Sequence, residues 1–408
     1  DNPDNPVINI RSFGEDPRAV GRLAAAAVRG LEMNGMAATP KHFPGHGNTD
    51  TDTHLDLPSL AADWTELSRV ELVPFRAAIA AGATGVMSAH IAVPRLDGGR
   101  VRPATLTPGL LTGVLQDSLG FRGVVFTDAL NMGSLVKNFT LADIAVGALL
   151  AGADVLLQPA DPYAIVDAVD AAIRDGRLTE ERVDRSVRKV LALKRRFGLF
   201  AVRTVPLDSV PARVGAPEFQ HTADDIAARS IVLVRDNQGV VARIRTAPQR
   251  VALVTYGDDR SPAVGLTLAA ELRARGHGVT LTRLWPNSGE ASLDSARAAV
   301  ASATTSVFAV AARPLPWDAS RLTLPVHIAR LIDSTAALRP TVLVSLGSPY
   351  VVRSTPAVGS YLLGWHANAT MERAVAGALT GAAITGRLPV RIPPSDTVGG
   401  GLRVPALR

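Results

Sequence analysis

Residues 41–54, KHFPGHGNTDTDTH, form the densest run of chemically capable side chains, with one of the sequence's four lysines and three of its eight histidines. Lys41, His42, His46, Asp52 and His54 could move protons, hold a polar ligand or ligate a metal. The i, i+4 spacing of His42 and His46 is that of two zinc ligands on one helix face. Pro44-Gly45 breaks any helix between them, and neither a metalloprotease glutamate nor a cysteine accompanies them, so no metal is expected. Gly45 and Gly47 instead let a loop bend sharply beside a ligand. Two more polar residues end apolar runs: Asp128 follows Val124-Val125-Phe126-Thr127, and His90 follows Val86-Met87-Ser88-Ala89. Each group also has a plain reading. Asp128 could cap a helix starting near Ala129, since aspartate is a favoured N-cap. Lys41 and His42 could be surface loop, with Asp52 a turn former and His54 facing solvent.

The elements around these residues decide whether they meet. Short buried strands are expected at 7–10, 36–39, 84–89, 123–127 and 153–158, with helical patterns between them. One helix starts at Asp16-Pro17, a cap followed by proline in the first turn, and ends near Gly35. Another covers 179–197, with Val183, Val187, Val190 and Leu191 on one face. Alternating strands and helices imply a parallel sheet or barrel, whose strand C-terminal ends carry the site. The groups after three successive strands would then share one face.

Periodicity lapses over 201–217, where Pro206, Pro211 and Pro217 mark a linker between a first domain, 1–200, and a second, 218–408. Strands are expected in the second domain at 231–235, 251–256, 279–282, 306–311, 341–346 and 360–364. Helices near 219–229, 263–275, 293–303 and 326–338 make it an α/β sandwich. About four strands and a stub precede the linker, fewer than the eight of a closed barrel of ~250 residues. The first domain is therefore expected to be an open sheet, or a barrel whose beginning is absent.

Composition narrows the function classes. The absence of cysteine excludes disulfides, thiolate metal sites and a cysteine nucleophile. No apolar run is long enough for a transmembrane helix. The net charge of +6 comes from scattered arginines, and only 4% of residues are aromatic. A nucleic-acid surface needs clustered basic residues, so none is expected.

The stretch KHFPGHGNTDTDTHLDLP, residues 41–58, closely resembles the signature of glycoside hydrolase family 3 β-N-acetylglucosaminidases. In the same order come NPVINIRSFGEDP (5–17), VMSAHI (86–91), GFRGVVFTDALNM (120–132) and GRLPVRIP (386–393). The resemblance spans the first half well and the second loosely. It implies a partial TIM-type (β/α)8 barrel followed by an α/β sandwich domain. It also implies a retaining exo-β-N-acetylglucosaminidase acting on glycans such as cell-wall (peptidoglycan) fragments, without a cofactor.

Carried across residue by residue, the resemblance makes Asp128 the nucleophile, His54 the general acid/base and Asp52 its partner. Arg11, Lys41, His42 and His90 become the sugar-contacting residues. Such a set suits retaining glycoside hydrolysis, which needs a nucleophile on one face of the sugar and a proton donor at the leaving oxygen. Thr53 stands where the family more often has serine. Family members also carry an earlier barrel segment without a counterpart here, so the chain is expected to be N-terminally incomplete. A carbohydrate is the expected partner and a monomer the expected state. Location stays open between the cell envelope or exterior and the cytoplasm. Two other functions use the same residues: a β-N-acetylglucosaminide phosphorylase, and a non-catalytic sugar-binding remnant. A broad β-glucosidase fits less well, because those relatives usually draw their acid/base from the second domain.

Overall fold

The computed structural model describes residues 2–313, 318 and 322–407. They divide into two compact units, Asp1–Val205 and Pro206–Arg408.

The first unit repeats a strand-then-helix order of TIM type. Its helices include α1 (Pro17–Met33), α2 (Trp64–Arg69) and α3 (Leu72–Ala80), followed by β1 (Gly85–Met87) and β2 (Val124–Phe126). Then come α4 (Gly133–Val136), α5 (Leu141–Ala151), α6 (Pro162–Arg174) and α7 (Glu180–Arg196). Asp16 caps α1 by accepting from the Ala19 amide, and Pro17 occupies the first turn, as the sequence predicts. Strands β1 and β2 pair in parallel, Gly85 opposite Val124. The ladder continues on both sides. The Gly85 and Met87 amides donate to Ala38 and Pro40 carbonyls, and the Thr127 amide donates to Val155. Among the described residues, segments 38–43, 84–89, 124–127 and 153–157 thus run side by side in one direction. Their core joins Phe43, Val86, Val125 and Ala153 to Leu67, Leu110, Leu115 and Ile144.

Residues 7–10 do not form the expected strand; a 3-10 turn covers Asn9–Arg11. Buried Asn5 is the cause. Its Oδ1 accepts from the amides of Val7 and Ile8, and Asn9 adopts φ 42°. A side chain that captures two successive amides turns the backbone away from a ladder.

Asp154 latches α7 to the sheet. Its carboxylate, 1% exposed, accepts from the Val125 amide at 3.0 Å, Ser186 at 2.7 Å and Lys189 at 2.9 Å. Arg182 lies 3.8 Å away and donates to the Ala153 carbonyl.

Glu71, at the start of α3, is 8% exposed and neither carboxyl oxygen has a hydrogen-bond partner. Its stem packs on Gly45, which has φ 142°; a Cβ there would stand 2.8 Å from Glu71 Cβ. Only glycine fits that bend.

The second unit opens with α8 (Val210–Arg213) and α9 (Pro217–Ser230) and is built on a six-stranded sheet. In chain order its elements are β3 (Val232–Asp236), α10 (Val240–Thr246), β4 (Arg250–Tyr256), α11 (Leu266–Ala274), β5 (Gly278–Leu284) and α12 (Glu290–Ser302). They continue with β6 (Thr305–Val310), α13 (Val326–Leu338), β7 (Thr341–Ser345), β8 (Ser360–Leu363) and α14 (Ala369–Thr380). The strand order is β3-β8-β7-β6-β4-β5, parallel except for β3 against β8. Side chains alternate between two cores, as a strand's period of two requires. Ala252, Val254, Phe308 and Leu343 face α12 and α13, whereas Leu253, Val307 and Val344 face α11 and α14. Burial on both faces is why these strands read as continuous apolar runs.

Two stability experiments follow. Asp154→Ala leaves a lysine without its buried partner and should destabilise the chain by about 3–5 kcal/mol in denaturant unfolding; a loss under 1 kcal/mol would refute the latch. Burial raises the Glu71 pKa above its usual 4.5. The folded state therefore holds this proton more tightly, and stability present below the unfolded pKa is lost as pH rises through the folded one. Glu71→Gln should melt higher than the parent chain at pH 7, with the advantage shrinking below pH ~4.5.

Candidate active site

The parallel ladder brings Lys41-His42, His90 and Asp128 to its C-terminal edge. The Lys41–His42 and Phe43–Pro44 peptide bonds are cis. His42, 8% exposed, sets its Nε2 3.5 Å from Asp128 Oδ2. Burial, joined by the positive charge of nearby Lys41 and Arg11, holds His42 well below the ordinary imidazole range. A neutral ring therefore faces the Asp128 carboxylate. Asp128 Oδ1 accepts from the Ala129 amide at 2.8 Å, and its side chain is 20% exposed, within reach of a ligand. The helix-cap reading fails, since no helix begins there: α4 starts at Gly133, behind Met132.

Asp52 and His54 sit in a turn, with the Leu55 and Asp56 amides donating to the Asp52 carbonyl. Asp52 Oδ1 accepts from the His54 amide at 2.9 Å and from His54 Nδ1 at 2.7 Å. A carboxylate only accepts, so Nδ1 carries a hydrogen and Nε2 is the nitrogen that exchanges one. Asp52 is 3% exposed and His54 is 17% exposed, which sets the carboxylate behind the ring and the ring toward solvent. The turn lies against the segment after Asp128: the Gly133 amide donates to His54 and the Ser134 amide to Thr53.

Arg11 and Lys41 are exposed, and both are close enough to disfavour a proton on His42. The Arg11 guanidinium donates to the Val7 carbonyl at 3.0 Å. With His42, His46 and Glu71 they line one end of a cleft of about 420 Å³, whose apolar wall is the Val20–Leu31 face of α1. Asp128, Asp52 and His54 are not among its lining residues.

His90, expected to contact sugar, is turned inward and 1% exposed. Its Nε2 meets the Ala129 carbonyl at 3.0 Å and its Nδ1 meets Thr105 Oγ1 at 2.8 Å. Burial lowers its pKa. A neutral ring with both nitrogens engaged fixes the turn that carries Asp128, rather than offering a donor to a ligand. The His42 and His46 rings meet edge-on at 5.9 Å. Sequence reading also passed over Asn5, whose Nδ2 donates to the His46 carbonyl at 2.8 Å and so ties the Arg11 turn to the His46 loop. Its signal was the Asn-Pro pair, a turn former, placed before an apolar run.

The model of the glycosyl hydrolase family 3 N terminal domain matches residues 1–193. The chain is 32% identical over 275 residues to "Beta-hexosaminidase A" of Pseudoalteromonas piscicida, covering 62% of this chain and 45% of that protein. It is 32% identical over 266 residues to "Beta-N-acetylglucosaminidase/beta-glucosidase" of Cellulomonas fimi, covering 63% of this chain and 47% of that protein. The matches thus span about half the length of these curated relatives. A solved family 3 β-N-acetylglucosaminidase from Paenibacillus sp. str. FPU-7 superposes with a TM-score of 0.83 at 32% identity, covering 97% of this chain and 75% of that one. With its first unit matched by the family's N-terminal domain and nearly all of its fold shared with a solved member, this chain belongs to glycoside hydrolase family 3.

Proposed function

We propose that the chain is a retaining β-N-acetylhexosaminidase that releases terminal N-acetylglucosamine from glycans such as cell-wall fragments. The observation that carries this reading is the 2.7 Å His54–Asp52 hydrogen bond, in a turn whose backbone rests on the segment following Asp128. In the first step the Asp128 carboxylate attacks the anomeric carbon while His54 Nε2–H protonates the departing oxygen. The glycosidic bond breaks and a glycosyl ester forms. Asp52 stabilises the imidazolium and holds its ring in place, as a buried carboxylate does for other catalytic histidines. In the second step the neutral imidazole takes a proton from water, which attacks the ester and returns Asp128 to its charged form. His42, kept neutral, holds the nucleophile without trapping it in an ion pair. Arg11 and Lys41 supply donors for sugar hydroxyls or the acetamido oxygen, which fixes the ring for attack. The β-N-acetylglucosaminidase names among the relatives support the choice of sugar.

The test uses aryl N-acetyl-β-glucosaminides of graded leaving-group acidity. Asp128→Ala should abolish turnover and covalent trapping by a fluorinated substrate analogue. His54→Ala should slow bond cleavage ~10²–10⁴-fold for poor leaving groups and far less for 2,4-dinitrophenol. An equal loss for both classes would remove His54 from the acid role. Free sugar as product, with or without phosphate, supports hydrolysis; sugar phosphate would make the chain a phosphorylase.

A further inference from the structure

We propose that His46 is a positioning residue that pins the Asp52–His54 turn through the Thr53 hydroxyl, an inference that rests on the acid/base reading above. His46 is 4% exposed, and both its ring nitrogens meet threonine hydroxyls. Nδ1 lies 2.8 Å from Thr49 Oγ1, and Nε2 lies 3.2 Å from Thr53 Oγ1.

Thr49 Oγ1 gives its single hydrogen to the His46 carbonyl at 3.0 Å, so it can only accept from the ring. Nδ1 therefore bears the hydrogen, and Nε2 offers a lone pair to the Thr53 O–H. Burial pushes the His46 pKa down to about 4, which keeps that lone pair available at neutral pH. The Thr49 end is anchored in turn: Asn5 Nδ2 donates to the His46 carbonyl and reaches Thr49 Oγ1.

Thr53 is the residue between Asp52 and His54, and it is 3% exposed. Its hydroxyl faces His46, while its carbonyl and that of His54 accept from Ser134 and Gly133 at 3.3 and 3.2 Å. Gly133 is needed for this approach, because a Cβ there would stand 2.6 Å from the His54 carbonyl oxygen. The tripeptide is thus held on both sides, by a hydroxyl toward one loop and by two carbonyls toward the start of α4. Held so, the His54 ring keeps one aim. Loss of the Thr53 bond removes the hold toward the His46 loop.

The experiment compares Thr53→Val, Thr53→Ser and His46→Asn in this chain, with circular dichroism and melting curves as checks on folding. Valine keeps the shape and removes the hydroxyl; asparagine keeps a donor near Thr49 and loses the acceptor for Thr53. For N-acetylglucosaminides with poor leaving groups, Thr53→Val and His46→Asn should each lower kcat about five- to tenfold, the rate equivalent of one buried hydrogen bond. KM and the pre-steady-state burst of 2,4-dinitrophenol, which reports bond cleavage alone, should change by less than about twofold, because in that step aim matters only where a proton must be delivered. Thr53→Ser should restore the parent rate, and the double variant should be no slower than either single one. If both substrates slow equally, or serine fails to rescue, or the double losses multiply, His46 does not act through Thr53. If His54→Ala itself shows no leaving-group discrimination, the acid/base reading has failed instead. If His54→Ala discriminates and Thr53→Val does not, only the pin is refuted. Should one variant not fold, the remaining variants give the same readout.

Discussion

Parallel pairing of successive segments in the first unit is the constraint from which the site follows. Each crossover through a helix returns the chain in the same direction, so 38–43, 84–89 and 124–127 finish at one edge. Lys41-His42, His90 and Asp128 are simply what the chain places after those ends. Backbone hydrogen bonds, not contacts among the polar side chains, set their mutual spacing. That division lets the edge carry costly polar groups while apolar packing beneath supplies the stability.

Burial then decides the charge state of that edge. His42, His46 and His90 all lose their protons to desolvation, so three imidazoles surround the Asp128 region without adding positive charge. Each ring is usable as a donor on one nitrogen and an acceptor on the other, which gives them direction. A charged lysine or arginine in any of the three places would donate only. The basic side chains beside them, Arg11 and Lys41, are exposed.

Much of this was legible from residue types. The second unit's strands were readable because valine-rich runs of five or six residues bounded by turns have few other homes. The turn at Asn9–Arg11 was not, because Val-Ile-Asn-Ile alternates like a strand and only Asn5's capture of two amides bends it. Asp128 and the Asp52–His54 pair were visible through family likeness and isolated polarity. The inward aim of His90 was not legible, since a histidine ending an apolar run says nothing about which way its ring points. Asp154 escaped notice inside an apolar stretch. Its signal lay elsewhere, in Arg182, Ser186 and Lys189, which repeat at helical spacing on one face of α7 and wait for an acid.

The support for the Asp52–His54 turn is scattered along the chain. Asn5 holds the His46 loop from forty-one residues upstream, and Gly133 and Ser134 meet the turn from beyond Asp128. Position 45 must stay glycine because the Glu71 stem, at the start of α3, fills the space a Cβ would need. The Asp-Thr-His tripeptide is therefore not a portable module. Grafted alone into another α/β scaffold, it would bring its carboxylate and imidazole and leave behind the parts that aim them. A designer would have to move four separate pieces of sequence together, and natural recombination within this region faces the same barrier.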